Sequence, residues 1–100
     1  MSDELQYGSY KAERLIASGS QKKAVFKVLK SAVMTPTLIR KRSMEYNEKI
    51  DMASVSKILK CFVKNGLAEC VNEEERTGRL YKLTKFGEEI KEKLKELLED

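Results

Sequence analysis

Asp51-Met-Ala-Ser-Val-Ser-Lys-Ile-Leu-Lys-Cys-Phe-Val-Lys-Asn-Gly66 reads as one complete helix with a start, two dissimilar faces and a stop. Asp51 suits the N-cap, because its carboxylate can accept from the free N–H groups of the first turn, and Ile50 can staple onto Val55. Gly66 ends the helix where a residue of positive φ is favoured. Val55, Ile58, Leu59, Phe62 and Val63 recur at helical spacing and form one apolar stripe that must face a core. Ala53, Lys57, Lys60 and Lys64 fall on the opposite side, with Ser54 and Ser56 on its flanks, so that face has three cations and no acid. Short side chains at the start let a backbone approach base edges, and lysines further along neutralise phosphate; a major-groove reader needs both. A solvated surface helix is the competing reading, and the neighbouring segments have to decide.

Upstream, Thr35-Pro36 opens a helix with a hydroxyl N-cap and a proline at the first position, where the missing N–H costs nothing. That helix runs to about Tyr46, with Leu38, Ile39, Ser43 and Tyr46 inward and Ser43 small enough for another helix to cross. Arg40, Lys41 and Arg42 form a basic cluster on it, for phosphate contact or simply a solvated face. Before it, Ser18 and Gln21 match a capping box. Ala24, Val25, Val28, Leu29, Ala32 and Val33 make an apolar stripe, giving a helix over 19–33. Phe26 lies off the stripe and covers either the N-terminal arm or a partner. Residues 1–17, with Leu5, Tyr7, Tyr10, Leu15 and Ile16 in no clean period, read as a partly ordered arm with a short helix or strand near Lys11–Ala17.

Downstream of Gly66 the period changes. Leu67–Val71 and Arg79–Leu83 are short segments rich in strand formers, separated by the polar loop 72–78, and pair most simply as a β-hairpin. Thr84 then caps a last helix with a stripe of Phe86, Ile90, Leu94, Leu97 and Leu98. At about 1.5 Å per residue, its last three leucines should overhang a body of this size. They would make an apolar patch of the kind that marks an interface, here a homodimer contact. Folding back onto Leu5, Tyr7 and Tyr10 is the alternative.

One hundred residues make a single domain with a modest core. Charged residues make up 36%, against roughly 25% in average proteins, a weak thermophile signal. No apolar run approaches the roughly 20 residues that span a bilayer, and the acidic start is unlike a signal peptide. The expectation is therefore a cytoplasmic protein without membrane partners. Zero histidines and two cysteines leave no transition-metal set and remove the commonest general base, so neither a metal nor another cofactor is expected. Cys61 and Cys70 read as ordinary small residues beside a core, with a redox role as the alternative. The net charge of +4 is unevenly spread. Residues 11–64 hold thirteen Lys or Arg against four acids, whereas residues 65–100 hold seven against ten. Positive charge thus gathers in the part that ends with the 51–66 helix, as a polyanion-binding surface requires.

Three helices, a hairpin and a closing helix, with the third helix cationic, resemble a winged helix–turn–helix. Residues 18–90 resemble the small archaeal and bacterial transcriptional regulators of the MarR and ArsR type. Thr35-Pro36, Val55-Ser-Lys-Ile-Leu59, Lys64-Asn-Gly-Leu67, and Gly78-Arg-Leu-Tyr-Lys-Leu-Thr84 with Gly87 carry the likeness through their order and spacing. It implies that the third helix enters the major groove of double-stranded DNA, and that the helix before it and the start of the first helix support it against the backbone. The wing, 72–79, would touch an adjacent groove. By position, Ser54, Ser56 and Lys57 would read bases and Lys60 and Lys64 lie nearer phosphate. Arg40, Lys41 and Arg42 would contribute from the supporting helix, and Arg76 and Arg79 from the wing. The family also implies a symmetric dimer through the terminal helix, which Phe86, Ile90, Leu94, Leu97 and Leu98 would suit. Three departures stand out: the segment joining the second and third helices is about a turn longer than usual, which bears on the carry-over to Arg40, Lys41 and Arg42; Glu73, Glu74 and Glu75 place three acids in the wing; and the Cys/His clusters of metal-sensing members are missing.

The chain thus divides into an arm (1–17), a winged helix–turn–helix domain (18–84) and a closing helix (85–100). The expected function is sequence-specific transcriptional regulation by DNA binding. A winged-helix module that binds protein, with lysines that only solubilise, is the alternative. A Z-DNA reader lacks its usual wing prolines here, since Pro36 is the only proline. An enzyme is not expected: there is no phosphate-binding glycine loop and no nucleophile with an evident base.

Overall fold

The computed structural model describes the backbone of residues 2–98 and the side chains of residues 10–95 and 98. Within them the chain is mainly helical, with one two-stranded antiparallel sheet. The order is α1 (Ser2–Ala17), α2 (Ser20–Val28), α3 (Pro36–Ser43), α4 (Met52–Lys64), β1 (Ala68–Cys70), β2 (Tyr81–Leu83), α5 (Lys85–Lys93) and α6 (Lys95–Leu98).

The local signals that act within a single turn are realised. Asp51 Oδ1 accepts from the Ser54 N–H at 2.7 Å, Thr35 Oγ1 from Leu38 N–H at 3.2 Å, and Thr84 Oγ1 from Gly87 N–H at 2.9 Å. Each satisfies an N–H that the helix itself leaves unpaired. Gly66 has φ +76°, which a side chain would resist. Val55, Ile58, Leu59 and Phe62 are buried as the stripe requires, but Val63, at its edge, is 39% exposed.

Elsewhere the chain departs from the expectation. In place of a partly ordered arm with a short helix or strand near Lys11–Ala17, residues 2–17 form one helix, α1, which inserts Ala12 and Ile16 into the core. The capping box at Ser18 does not form, because Ser18 Oγ donates back to Leu15 C=O at 2.8 Å and closes α1 instead. Gly19 takes the N-cap of α2 with no side-chain bond. That helix stops at Val28 rather than 33, since Leu29 turns to an extended ψ of 138°; Ala32 and Val33 are exposed. The freed segment runs beside β2, where Met34 pairs with Tyr81 and Lys30 C=O accepts from Leu83 N–H at 2.8 Å. Phe26, off the stripe, belongs to the same core as Ala12 and Ile16 of α1. It is fully buried and meets Phe62 edge to face, with ring centroids 5.7 Å apart and planes at 76°. The second predicted helix ends at Ser43, leaving Tyr46 55% exposed beneath the Lys27 ammonium, 4.5 Å from its ring centroid.

The hairpin forms with shorter strands than expected, in the register Ala68 to Leu83, Glu69 to Lys82 and Cys70 to Tyr81. Of the three leucines expected to overhang, Leu94 and Leu98 do not. Helix α5 ends at Lys93, the chain turns at Leu94, and Leu98 returns to the same core as Ala12 and Ile16 with 6% exposure. Ile90 is buried, and Phe86 and Leu94 are half-buried against that core. The side chain of Leu97 lies outside the described residues, as do those of Leu5 and Tyr7. The premise for a dimer through this helix therefore fails for the described side chains.

Lys91 supplies a tie that no local pattern announces. Its Nζ donates to the C=O groups of Lys27 and Leu29 at the end of α2, where helical carbonyls run out of partners within their own helix. Burial, and then the nearby charge of Lys30, lower its pKa below the usual lysine value.

Two substitutions test this packing. A Cβ on Gly87 would stand 2.0 Å from the Leu67 carbonyl oxygen, a backbone atom that cannot swing aside, so Gly87→Ala should cost about 1–3 kcal/mol in denaturant unfolding. Ser43 Oγ is fully buried and has no hydrogen-bond partner. Removing an unpaired buried hydroxyl relieves its desolvation, so Ser43→Ala should raise stability by about 1 kcal/mol. A loss in the same assay would mean that the hydroxyl is satisfied in solution.

Candidate nucleic-acid interface

Burying Val55, Ile58, Leu59 and Phe62 leaves the other side of α4 as a ridge in solvent. Ala53, Ser56, Lys57, Lys60 and Lys64 are all exposed on it. No ion pair with an acid offsets Lys57, Lys60 or Lys64 among the described residues.

A groove runs along each side of this ridge. One, of about 510 Å³, lies between α4 and the start of α2; Gln21 and Lys22 face Ser54 and Lys57 across it. The other, of about 660 Å³, lies between α4, the start of α3 and the hairpin loop. Thr35, Thr37, Ser56, Lys60, Arg76 and Arg79 are among the residues that line it. Both grooves therefore receive a helix N-terminus, where the backbone dipoles leave partial positive charge. Neither α2 nor α3 places an acid in its first turn to offset that charge, whereas α4 carries the Asp51 carboxylate at its N-cap. No acidic side chain lines either groove.

The expected contact residues are only partly gathered here. Ser54, Ser56, Lys57 and Lys60 lie on α4 beside the grooves, with Ser54 half-buried and its N–H given to Asp51. Lys64 continues the ridge beyond both grooves. Arg40, Lys41 and Arg42 line neither. Arg40 is half-buried and structural: its Nε donates to the Ile50 carbonyl at 3.4 Å, holding the turn that enters α4. Lys41 and Arg42 are exposed at the far end of α3 from the groove.

The wing residues divide in a similar way. Arg76 is exposed and lines the larger groove. Arg79 lines it too, but its guanidinium also donates to Glu75 C=O at 2.7 Å and Glu73 C=O at 3.3 Å, bracing the loop. The acids of that loop therefore give Arg79 their backbone, while their carboxylates stay in solvent. Asn72, which the sequence did not single out, clamps the loop base. Its Oδ1 accepts from Leu80 N–H at 2.7 Å and its Nδ2 donates to Gly78 C=O at 3.0 Å.

Gln21, Lys22, Thr37, Thr77 and Tyr81 are groove residues that the sequence reading missed. A signal existed for Lys22: a lysine in a first turn opposes the helix dipole, which favours acids there. Cys61 and Cys70 are free and half-buried. The Cys61 carbonyl accepts from Asn65 Nδ2 at 2.8 Å, and Cys70 Sγ lies 3.5 Å from Asn72 Oδ1. Among the described residues no three His, Cys, Asp or Glu side chains gather to hold a metal ion, and no helix is long and apolar enough to cross a membrane.

Comparison with family models, curated proteins and solved structures finds no match to this chain.

Asp51 sets the entry of α4, and its ionisation is measurable. The Ser54 backbone N–H, then the Ser54 hydroxyl, and more weakly the charge of Arg40 favour its carboxylate, lowering the pKa below 3.8. A depressed folded-state pKa gives stability that is complete above the unfolded value and lost as pH falls through the folded one. Asn keeps a neutral cap at this position. Wild type should therefore exceed Asp51→Asn in stability at pH 6, and the gap should close as urea midpoints are followed from about pH 5 to pH 2. A gap independent of pH would remove the carboxylate from this role.

Proposed function

We propose that this chain is a winged helix–turn–helix protein that binds double-stranded DNA in a sequence-dependent way and acts as a transcriptional regulator. In this reading α3 and α4 form the helix–turn–helix, and the loop between β1 and β2 is the wing. The observation that carries it is the exposed cationic ridge of α4 with an acid-free groove on each side, each lined by at least one lysine. A helix about 10–12 Å across fits a major groove about 12 Å wide. A helix so seated has a phosphate strand on either hand, and each groove beside α4 offers lysine and a helix N-terminus to one strand.

Roles follow from position. Ser56 and Lys57 stand on the ridge near its leading end and would meet base edges. Lys22 and Lys60 would neutralise the two strands, Arg76 would extend the contact along the hairpin, and Lys64 would touch phosphate further on. The reading needs no second copy through α5 and α6, whose described apolar side chains are covered within the chain. It asks for no catalytic group.

Duplex binding should weaken steeply with salt, with a slope of roughly −0.9 per phosphate contacted. Lys64→Ala should weaken all sequences alike and flatten that slope by about one, whereas Lys57→Ala should cost about 1–3 kcal/mol selectively on the preferred sequence. Titrations of a labelled duplex against salt, followed by selection from random DNA, test both. Salt-independent binding, or no duplex binding at low salt, would remove the proposal in favour of a protein-binding module.

A further inference from the structure

The groove between α3, α4 and the hairpin contains a polar group that the ridge does not use. Tyr81, on β2, lines this groove while only 6% exposed. Its backbone N–H and C=O are bonded to Met34, but its hydroxyl has no partner among the described residues. Among the described residues Ser43 Oγ, and not the Tyr81 hydroxyl, is the side-chain oxygen both fully buried and unpaired, so the Tyr81 hydroxyl keeps contact with solvent, and Tyr81 lines this groove. A buried tyrosine usually gives its hydroxyl a partner. Here no described side chain or backbone group supplies one, which leaves the hydroxyl free to donate to a ligand in the groove.

Two further features converge on the same place. In the first turn of the eight-residue α3, Pro36 has no N–H, the Leu38 N–H goes to Thr35 Oγ1 and the Ile39 N–H to Thr35 C=O. The Thr37 N–H is left without a partner among the described residues and opens where Thr37 lines the groove. Lys60 and Arg76 then add two full charges from opposite walls. Lysine, arginine and a backbone N–H can only donate. Their convergence selects an anion rich in acceptors, and the apolar floor of Pro36, Leu59 and the Tyr81 ring suits a sugar beside it.

We propose that this groove is a phosphate-binding site in which the Tyr81 hydroxyl and the Thr37 N–H donate to phosphate oxygens while Lys60 and Arg76 neutralise the charge. It rests on the duplex reading for the natural source, a phosphodiester of the DNA backbone. The chemistry itself takes inorganic phosphate as well, and that separates the two claims experimentally.

Amide-resolved NMR titration of the full chain with inorganic phosphate, at ionic strength held constant with chloride, reads the site directly. The Thr37 amide should shift saturably, with affinity about tenfold weaker in Tyr81→Phe, the size expected for one bond to a charged acceptor. Arg76→Ala, at an exposed position, should weaken it too, and serves alone if Tyr81→Phe does not fold. On unrelated duplexes Tyr81→Phe should lose about tenfold in affinity with an unchanged salt slope, because a neutral hydroxyl releases no counterion. Arg76→Ala should flatten that slope by about 0.9. No saturable shift at Thr37, or one that is the same in both variants and the wild type, overturns the site. Duplex binding that is indifferent to Tyr81→Phe and Arg76→Ala overturns it while leaving the duplex reading intact. Saturable phosphate binding without duplex binding at low salt upholds the site and sinks the duplex reading.

Discussion

Phe26 and Phe62 meet edge to face at the centre of the core, one from α2 and one from α4, and neither has any exposure. Their contact fixes how α4 is rolled about its axis. Turning α4 by one residue position would lift Phe62 toward water and carry a lysine toward the core, where an unpaired charge is strongly disfavoured. The orientation of the ridge is thus a consequence of where the aromatic rings must go. The turn into α4 is held by the Arg40 bond to Ile50 C=O and by the Asp51 cap. The exit is held by Gly66, by Leu67 N–H bonding back to Phe62 C=O at 2.8 Å, and by the contact of Gly87 on the Leu67 carbonyl.

What could be read in the sequence was what is decided within a turn or two of chain. The caps at Thr35, Asp51 and Thr84, the positive φ at Gly66 and the buried stripe of α4 all follow from residues three to eight positions apart. The errors lie where a distant partner overrides the local pattern. The stripe in α2 continued on paper to Val33, but residues 30–34 form backbone bonds with β2 some fifty positions later. Phe26 looked off the stripe because a stripe names one face, whereas α2 is covered by α1, α3 and α4 together. Lys91 reads as one more surface lysine until it is seen bonded to carbonyls more than sixty residues away. Its bonds also explain how α5 lies across the end of α2, and with it why Leu98 returns to the core.

The candidate site was legible as a charge asymmetry and as one face of α4, but its flanks were not. Lys22 and Tyr81 come from segments whose own patterns concern helix start and strand, and only the packing sets them beside α4. The basic cluster at 40–42 was the more conspicuous signal, yet Arg40 holds the turn and its neighbours face solvent away from both grooves. Local rules and the proposed use conflict at two points. Lysines occupy the first turn of α2 against the helix dipole, and the hydroxyl of the buried Tyr81 has no partner among the described residues. Such conflicts are expected where a surface is kept for a ligand rather than for stability.

The central claim is geometric: the ridge of α4 enters the major groove while the two flanking grooves receive the phosphate strands. Interference footprinting on a selected duplex tests it most directly, using N7 methylation of guanine to mark the major groove and phosphate ethylation to mark each strand. The account predicts interference from major-groove methylation at the centre of the site, bracketed by ethylated phosphates on both strands. Interference from minor-groove adenine methylation alone, or from phosphates of a single strand, would contradict it.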